Sequence, residues 1–186
     1  FSILCLRVPG HGTVPAALTD AVWEDWYAAV RLAARHVRQR AGEGAPFHLV
    51  GYSNGGALVL KYTLDGLERT ELPLPDRLVL ISPMIGVTPA SALAKTLELL
   101  GSISYFEKSR WIDIMPEYIP FKYVSFPLNA AYQAHRLTSV LRSQVKRLAA
   151  RGTLARLPPV LTFQSVVDDT ISISGLVIGL YSFLPP

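Results

Sequence analysis

The sequence predicts an α/β fold, a mostly parallel sheet with helices on its faces. Three observations carry this. Short apolar runs at 1–8, 46–50, 77–82 and 159–164 are separated by longer segments whose apolar residues recur at helical spacing. Strand and helix alternate at the spacing of crossover units, which is the mark of a parallel sheet. One junction, Val50 to Ala57, has the residues of a sharp strand-to-helix turn. The chain has 186 residues, 50% hydrophobic and 17% charged, so it can bury one real core and falls in the single-domain range.

Phe1 to Val8 is apolar and partly β-branched, and is expected to be a strand. It stops at the breaker cluster Pro9-Gly10-His11-Gly12-Thr13, a loop. From Pro15 to Gly42 the residues Leu18, Val22, Trp23, Trp26, Tyr27, Val30 and Val37 keep a helical period, and Gly42 and Gly44 end it. Pro46 to Val50 suits a buried strand, Ala57 onward a buried helix to about Leu64, and Arg77 to Ser82 a further strand. From Pro83 to about Leu157 no good strand is expected. Helical patches at 90–100 and 130–151 flank an aromatic, proline-punctuated middle that includes Tyr105, Phe106, Trp111, Tyr118, Phe121, Tyr123 and Phe126. A segment of that length between two sheet strands is usually a functional excursion such as a lid. The sheet resumes at Pro159 to Gln164, runs into Ser165 to Thr170, and an apolar helix follows from Ile171.

The turn itself reads Gly51-Tyr52-Ser53-Asn54-Gly55-Gly56. Gly-x-Ser-x-Gly is the pattern of a nucleophile elbow, in which a serine is pushed out above the sheet edge on strained backbone. By chance it should occur only about 0.06 times in a chain this long. Its setting between an apolar strand and a buried helix strengthens it. Ser53 is the candidate nucleophile, and a Cβ at Gly51 or Gly55 is expected to clash.

The remaining features narrow the class. A net charge of +4 comes from scattered cations, with Arg31, Arg35, Arg38 and Arg40 clustered on one helix. With acids interspersed elsewhere and no nucleic-acid motif, that cluster is read as a solvated face, and no nucleic-acid partner is expected. The single Cys5 lies in an apolar run and is expected to be a small core residue, compatible with a reducing compartment. No apolar run reaches the roughly 18 residues of a membrane span. No His/Cys cluster has metal-ligand spacing, so neither metal nor cofactor is expected.

The order strand, Pro9-Gly10-His11-Gly12 loop, long helix, strand, Gly51 to Gly56, helix, strand ending Ser82-Pro83, helical insertion, strand and Ser165-Val-Val-Asp168-Asp169-Thr-Ile171 resembles the α/β-hydrolase superfamily across essentially the whole chain. The details look most like its serine aminopeptidase, lysophospholipase and monoacylglycerol lipase branch. The resemblance implies a core at 1–86, a helical cap at 87–157 and the acid-bearing part of the core at 158–186. It also implies that Asp168 is the acid orienting a catalytic histidine, with Asp169 as runner-up, and that the backbone N–H of Asn54 is one oxyanion donor. In that family the base follows the acid, yet no histidine lies beyond Asp168. Of the four present, His48 is expected in sheet packing, His36 on the arginine-rich helix, His135 in the cap and His11 in a structural loop. Phe1 is expected to begin the fourth strand of the family sheet. The first three strands, the second oxyanion donor, the last strand and the base are therefore expected outside these residues, leaving an incomplete sheet inactive by itself.

The function so implied is a serine hydrolase acting on carboxylic esters or lipid acyl groups through an acyl-enzyme on Ser53. The rivals are a non-catalytic binding module on the same fold and a peptide- or amide-cleaving serine aminopeptidase. Leu93, Leu97, Leu100, Ile103 and the aromatic middle suggest either an apolar acyl pocket or simply the cap's own core. A small ester or lipid-like molecule is the expected partner, with transient membrane-surface contact open and a cytoplasmic location expected. Substrate-contacting residues and oligomeric state are not legible.

Overall fold

A computed structural model describes residues 2–42, 44–85, 110–165 and 173–184. Three parallel strands form the main sheet: β1 (His48–Tyr52), β2 (Arg77–Ile81) and β5 (Val160–Phe163), in the order β1-β2-β5. The register pairs Val50 with Val79 and Tyr52 with Ile81, then Val79 with Leu161 and Ile81 with Phe163. The helices are α1 (Trp23–Ala41), α2 (Asn54–Glu68), α3 (Leu128–Ala150) and α4 (Ile173–Gly179).

Helix α2 is the centre of the molecule. Every residue from Gly56 to Leu67 is buried, because α2 packs on β1 and β2 with one side and on α1 and α3 with the other. Neighbours enclose it on all sides, so even the polar Lys61, Thr63 and Asp65 are buried. Its Leu58, Leu60 and Leu64 join Trp26 and Val30 of α1, Leu78 and Leu80 of β2, and Leu137, Leu141 and Leu148 of α3 in one cluster. The 128–150 helix thus shares the main core. Burying each such side chain stabilises the fold by roughly 1.5–3 kcal/mol relative to leaving it exposed.

Among the described residues, helices cover one face of the sheet. The other presents Val50 (62% exposed), Tyr52 (70%), Leu161 (54%) and Phe163 (54%) beside Ile81. Register explains the set: all five point the same way on neighbouring strands, since side chains alternate with period two.

Several expectations need correcting. Residues 2–8 form no strand, and Ile3, Leu4 and Leu6 are exposed. A strand requires a hydrogen-bonded neighbour, and the main sheet places none of its three strands beside this segment. Cys5 is consequently exposed and not a core residue. The expected long helix begins later, at Trp23, after a 3-10 turn at Pro15–Leu18. Within the segment expected to lack strands, β3 (Trp111–Asp113) pairs antiparallel with β4 (Phe126–Pro127). Glu117 fastens the loop between them by accepting from Val124 N–H (2.8 Å) and Ser125 N–H (2.7 Å).

Candidate active site

β1 delivers the chain to Ser53 at its carboxyl end, and α2 begins at the next residue. Ser53 has φ 51° and ψ −119°, a backbone conformation that costs a non-glycine residue of order 1–3 kcal/mol and persists only where the surroundings impose it. The surroundings here are hydrogen bonds. Ser53 N–H donates to Ile81 C=O at 2.9 Å, and the Ser53 carbonyl accepts from Gly56 N–H at 3.0 Å and from Met84 N–H at 3.0 Å. The elbow is therefore clamped between its own helix and the loop after β2. That loop is itself strained: Ser82 has φ 42°, and its N–H donates to Phe163 C=O at 2.7 Å. Nothing in the sequence beyond the Ser82-Pro83 pair signals this second strained serine.

Glycine is required at two of the three elbow positions. A Cβ on Gly51 would lie 2.5 Å from the Gly55 carbonyl oxygen, and one on Gly56 2.8 Å from Pro83 Cβ. A Cβ on Gly55 would meet nothing within 4 Å, so the expected clash there is absent. Gly56 takes its place, because it is the residue of α2 that faces the loop after β2.

Ser53 sits at the N-terminus of a 15-residue helix whose first turn has no side-chain cap. The free N–H groups there carry a partial positive charge equivalent to about half a unit, which favours an anion. Asn54, first in the helix, contributes one of these donors, and its side-chain Oδ1 is buried without a hydrogen-bond partner. The elbow can thus expose a hydroxyl beside a group of donors suited to a developing oxyanion.

Because β1, β2 and β5 are parallel, their carboxyl ends share one edge of the sheet. Ser53 follows β1 and Gln164-Ser165 follows β5 on that same edge, where functional groups of open α/β sheets gather. Asp168 and Asp169 lie outside the described residues, as do Leu93, Leu97, Leu100 and Ile103.

The histidines are placed as follows. His48 opens β1 at the end opposite Ser53, roughly 16 Å away along the strand, and is exposed and not packed as expected. The His11 ring makes an Nδ1 contact with Pro9 C=O at 3.2 Å and an edge contact with Trp26 at 5.7 Å. Trp26 Nε1–H also donates to Pro9 C=O at 3.0 Å, so the 9–13 loop is locked onto α1. Tyr123 ties it from the other side: its hydroxyl donates to Gly10 C=O at 3.1 Å and accepts from Thr13 N–H at 2.6 Å. His36 lies on α1 and His135 on α3. Of the aromatic middle, Tyr118 and Phe121 are exposed, and Tyr123 packs against the core.

Residues 1–178 match the model of the alpha/beta hydrolase family. The chain belongs to that family. Among solved structures it is similar to one from a study of LipS and LipT, two metagenome-derived lipolytic enzymes, with a TM-score of 0.65 at 20% identity. That match covers 96% of this chain and 65% of the other, so the chain spans just under two thirds of that protein's length. A monoacylglycerol lipase from Paleococcus ferrophilus is matched at a TM-score of 0.43 and 14% identity, over 84% of this chain and 73% of that one. No curated protein matches. As a member of this family the chain has the hydrolase fold, and its main sheet has three parallel strands among the described residues. Among the described residues no helix is long and apolar enough to cross a membrane, and no three His, Cys, Asp or Glu side chains gather as a metal site.

Proposed function

We propose that the protein works as a serine ester hydrolase with Ser53 as nucleophile, acting on carboxylic esters or lipid acyl groups. The observation that carries this reading is Ser53 at φ 51° on a clamped strand-to-helix turn at a helix N-terminus. Backbone strain at a half-buried serine on the carboxyl edge of the sheet serves chemistry better than stability. In this reading Ser53 Oγ attacks the acyl carbonyl while an imidazole takes its proton, and the oxyanion is held by Asn54 N–H. The imidazolium returns the proton to the departing alcohol, and water then releases the acid from the acyl-serine. Asp168 orients the imidazole. Neither His48, which starts β1 at its far end, nor His11, which is engaged with Pro9 and Trp26, is placed to supply that imidazole.

A fluorophosphonate probe tests this. The protein labels at Ser53, and Ser53→Ala abolishes labelling. Absence of labelling in the folded protein would instead support a non-catalytic binding module on the same fold.

A further inference from the structure

The hairpin built on β3 and β4 carries an apolar surface that the core does not use. Ile112, Ile114, Met115, Tyr118, Phe121 and Phe126 are all exposed, Tyr118 at 71% and Phe121 at 94%. The chain turns at Pro120 and Phe121, which form the tip. Single exposed apolar residues are ordinary, but a set gathered on one short hairpin marks a surface that something else covers.

The exposure does not come from a loose loop. Met115 N–H donates to Ser125 Oγ at 3.0 Å, and the same hydroxyl donates to Met115 C=O at 2.9 Å. Glu117 takes the N–H groups of Val124 and Ser125, and Ser125 is itself buried. Pro116 and Pro120 fix φ on either side of Tyr118. At the root, the Tyr123 hydroxyl is held between Gly10 C=O and Thr13 N–H, and Arg110 pairs with Asp20 at 3.1 Å. The hairpin is thus preorganised with these side chains outward, so covering them would cost little further ordering.

Polarity and charge decide what fits. Backbone that approaches hydrocarbon has to satisfy its own hydrogen bonds, and the bonds at 115, 124 and 125 do so on both arms of the loop. The Glu117 carboxylate is drawn onto the backbone next to β4, away from the tip, and Asp113 lies back in the β3–β4 ladder. The charge nearest the tip is Lys122, whose long stem lets the ammonium stay among headgroups while its neighbours sink. Tyr and Phe beside a Lys suit the boundary between headgroups and acyl chains. A protein interface would instead call for a polar rim free to pair, whereas the Glu117 carboxylate and the Ser125 hydroxyl are spent internally.

We propose that the tip of the 112–126 hairpin docks on the surface of a lipid bilayer, with Tyr118 and Phe121 entering the boundary between headgroups and acyl chains and Lys122 staying at headgroup level. The contact is made by side chains of one loop and needs no spanning segment. It stands apart from the role assigned to Ser53 and holds equally for a hydrolase or a binding module.

The test is co-sedimentation of the protein with phosphatidylcholine vesicles, together with quenching of Phe121→Trp fluorescence by brominated acyl chains. Binding that saturates with lipid is expected. Phe121→Ser and Tyr118→Ser should each weaken it about fivefold or more, and both positions are exposed enough for the variants to fold. Ser53→Ala should bind as the wild type does. Phe121→Trp should be quenched more strongly than the wild-type tryptophans, of which Trp23 and Trp26 are buried. No vesicle binding, binding unchanged in both serine variants, or no added quenching in bound Phe121→Trp overturns the proposal. Binding lost in Leu161→Lys and kept in Phe121→Ser assigns the contact to the sheet face and overturns it too. Self-association abolished by Phe121→Ser, in a protein that ignores vesicles, makes the hairpin an interface between copies and has the same consequence.

Discussion

The backbone N–H of Met84 donates to the carbonyl oxygen of Ser53 at 3.0 Å. This bond joins the loop after β2 to the elbow after β1, and the approach it requires brings Pro83 against Gly56. The strained serine is therefore held by a neighbouring strand's loop and not by its own turn alone.

The glycines give a sharp contrast to test. Gly51→Ala drives a methyl to 2.5 Å from backbone that cannot move aside, and is expected to destabilise by about 3 kcal/mol. Gly56→Ala meets the Pro83 ring and should cost about 2 kcal/mol. Gly55→Ala meets open space and should be neutral or stabilising by up to about 1 kcal/mol, as alanine is the better helix former. Urea midpoints at constant m-value rank the three; a loss at Gly55 equal to that at Gly51 would contradict this geometry.

Strain at Ser53 predicts opposite effects on stability and chemistry. Ser53→Gly removes the Cβ that makes φ 51° unfavourable, so stability should rise by about 1 kcal/mol while fluorophosphonate labelling vanishes. Ser82→Gly, at φ 42°, should stabilise similarly but keep the label. Thermal denaturation and labelling measured on the same samples decide this.

A buried network joins α1, α2 and α3, in which Asp65 accepts from the Tyr27 hydroxyl, from Lys61 Nζ and from Gln144 Nε2, and it sets the pH profile. Asp65 protonates less readily in the folded state than in the unfolded one, so its contribution is complete above the ordinary carboxylate pKa of about 4 and is lost as pH falls below it. Tyr27 behaves in the opposite sense. Burial and its bond to Asp65 raise its phenol, and burial pushes Tyr62 up to about 12. Their contribution is complete below pH of about 10 and declines as pH rises past it. Asp65→Ala strands the Lys61 ammonium and should cost about 3 kcal/mol or more, whereas Arg147→Ala, at a pair open to solvent, should cost under about 1 kcal/mol. Stability measured from pH 3 to 11 in wild type and Tyr27→Phe tests both limbs, the alkaline loss being smaller in the variant.

Among the described residues one face of the sheet is uncovered, and this predicts behaviour in solution. Val50, Tyr52, Leu161 and Phe163 form an apolar surface of the kind that drives association. Leu161→Lys should leave stability within about 0.5 kcal/mol and reduce both dye binding by exposed apolar surface and concentration-dependent light scattering. A large stability loss would mean that Leu161 is buried in solution.

Much of this was legible in the residues, and the failures share a cause. Gly51-x-Ser53-x-Gly55 located the elbow because its turn demands are local. The strands at 48–52, 77–81 and 160–163 matched their apolar runs within two residues, since a buried parallel strand needs such a run. Residues 2–8 have the same composition and form no strand, because pairing depends on a neighbour and not on propensity. The Lys61–Asp65–Gln144 network was missed because Gln144 lies 79 residues from Asp65 and nothing in either local pattern announces the other.

By itself the sequence determined the fold class, the position of the elbow and the identity of the candidate nucleophile, all of which follow from local backbone sterics and periodic burial. Tertiary structure alone decided which glycine is crowded, which face of the sheet is covered and where charge is buried. Those depend on which distant segments meet, and the free energy of such contacts is written in no single stretch of the chain.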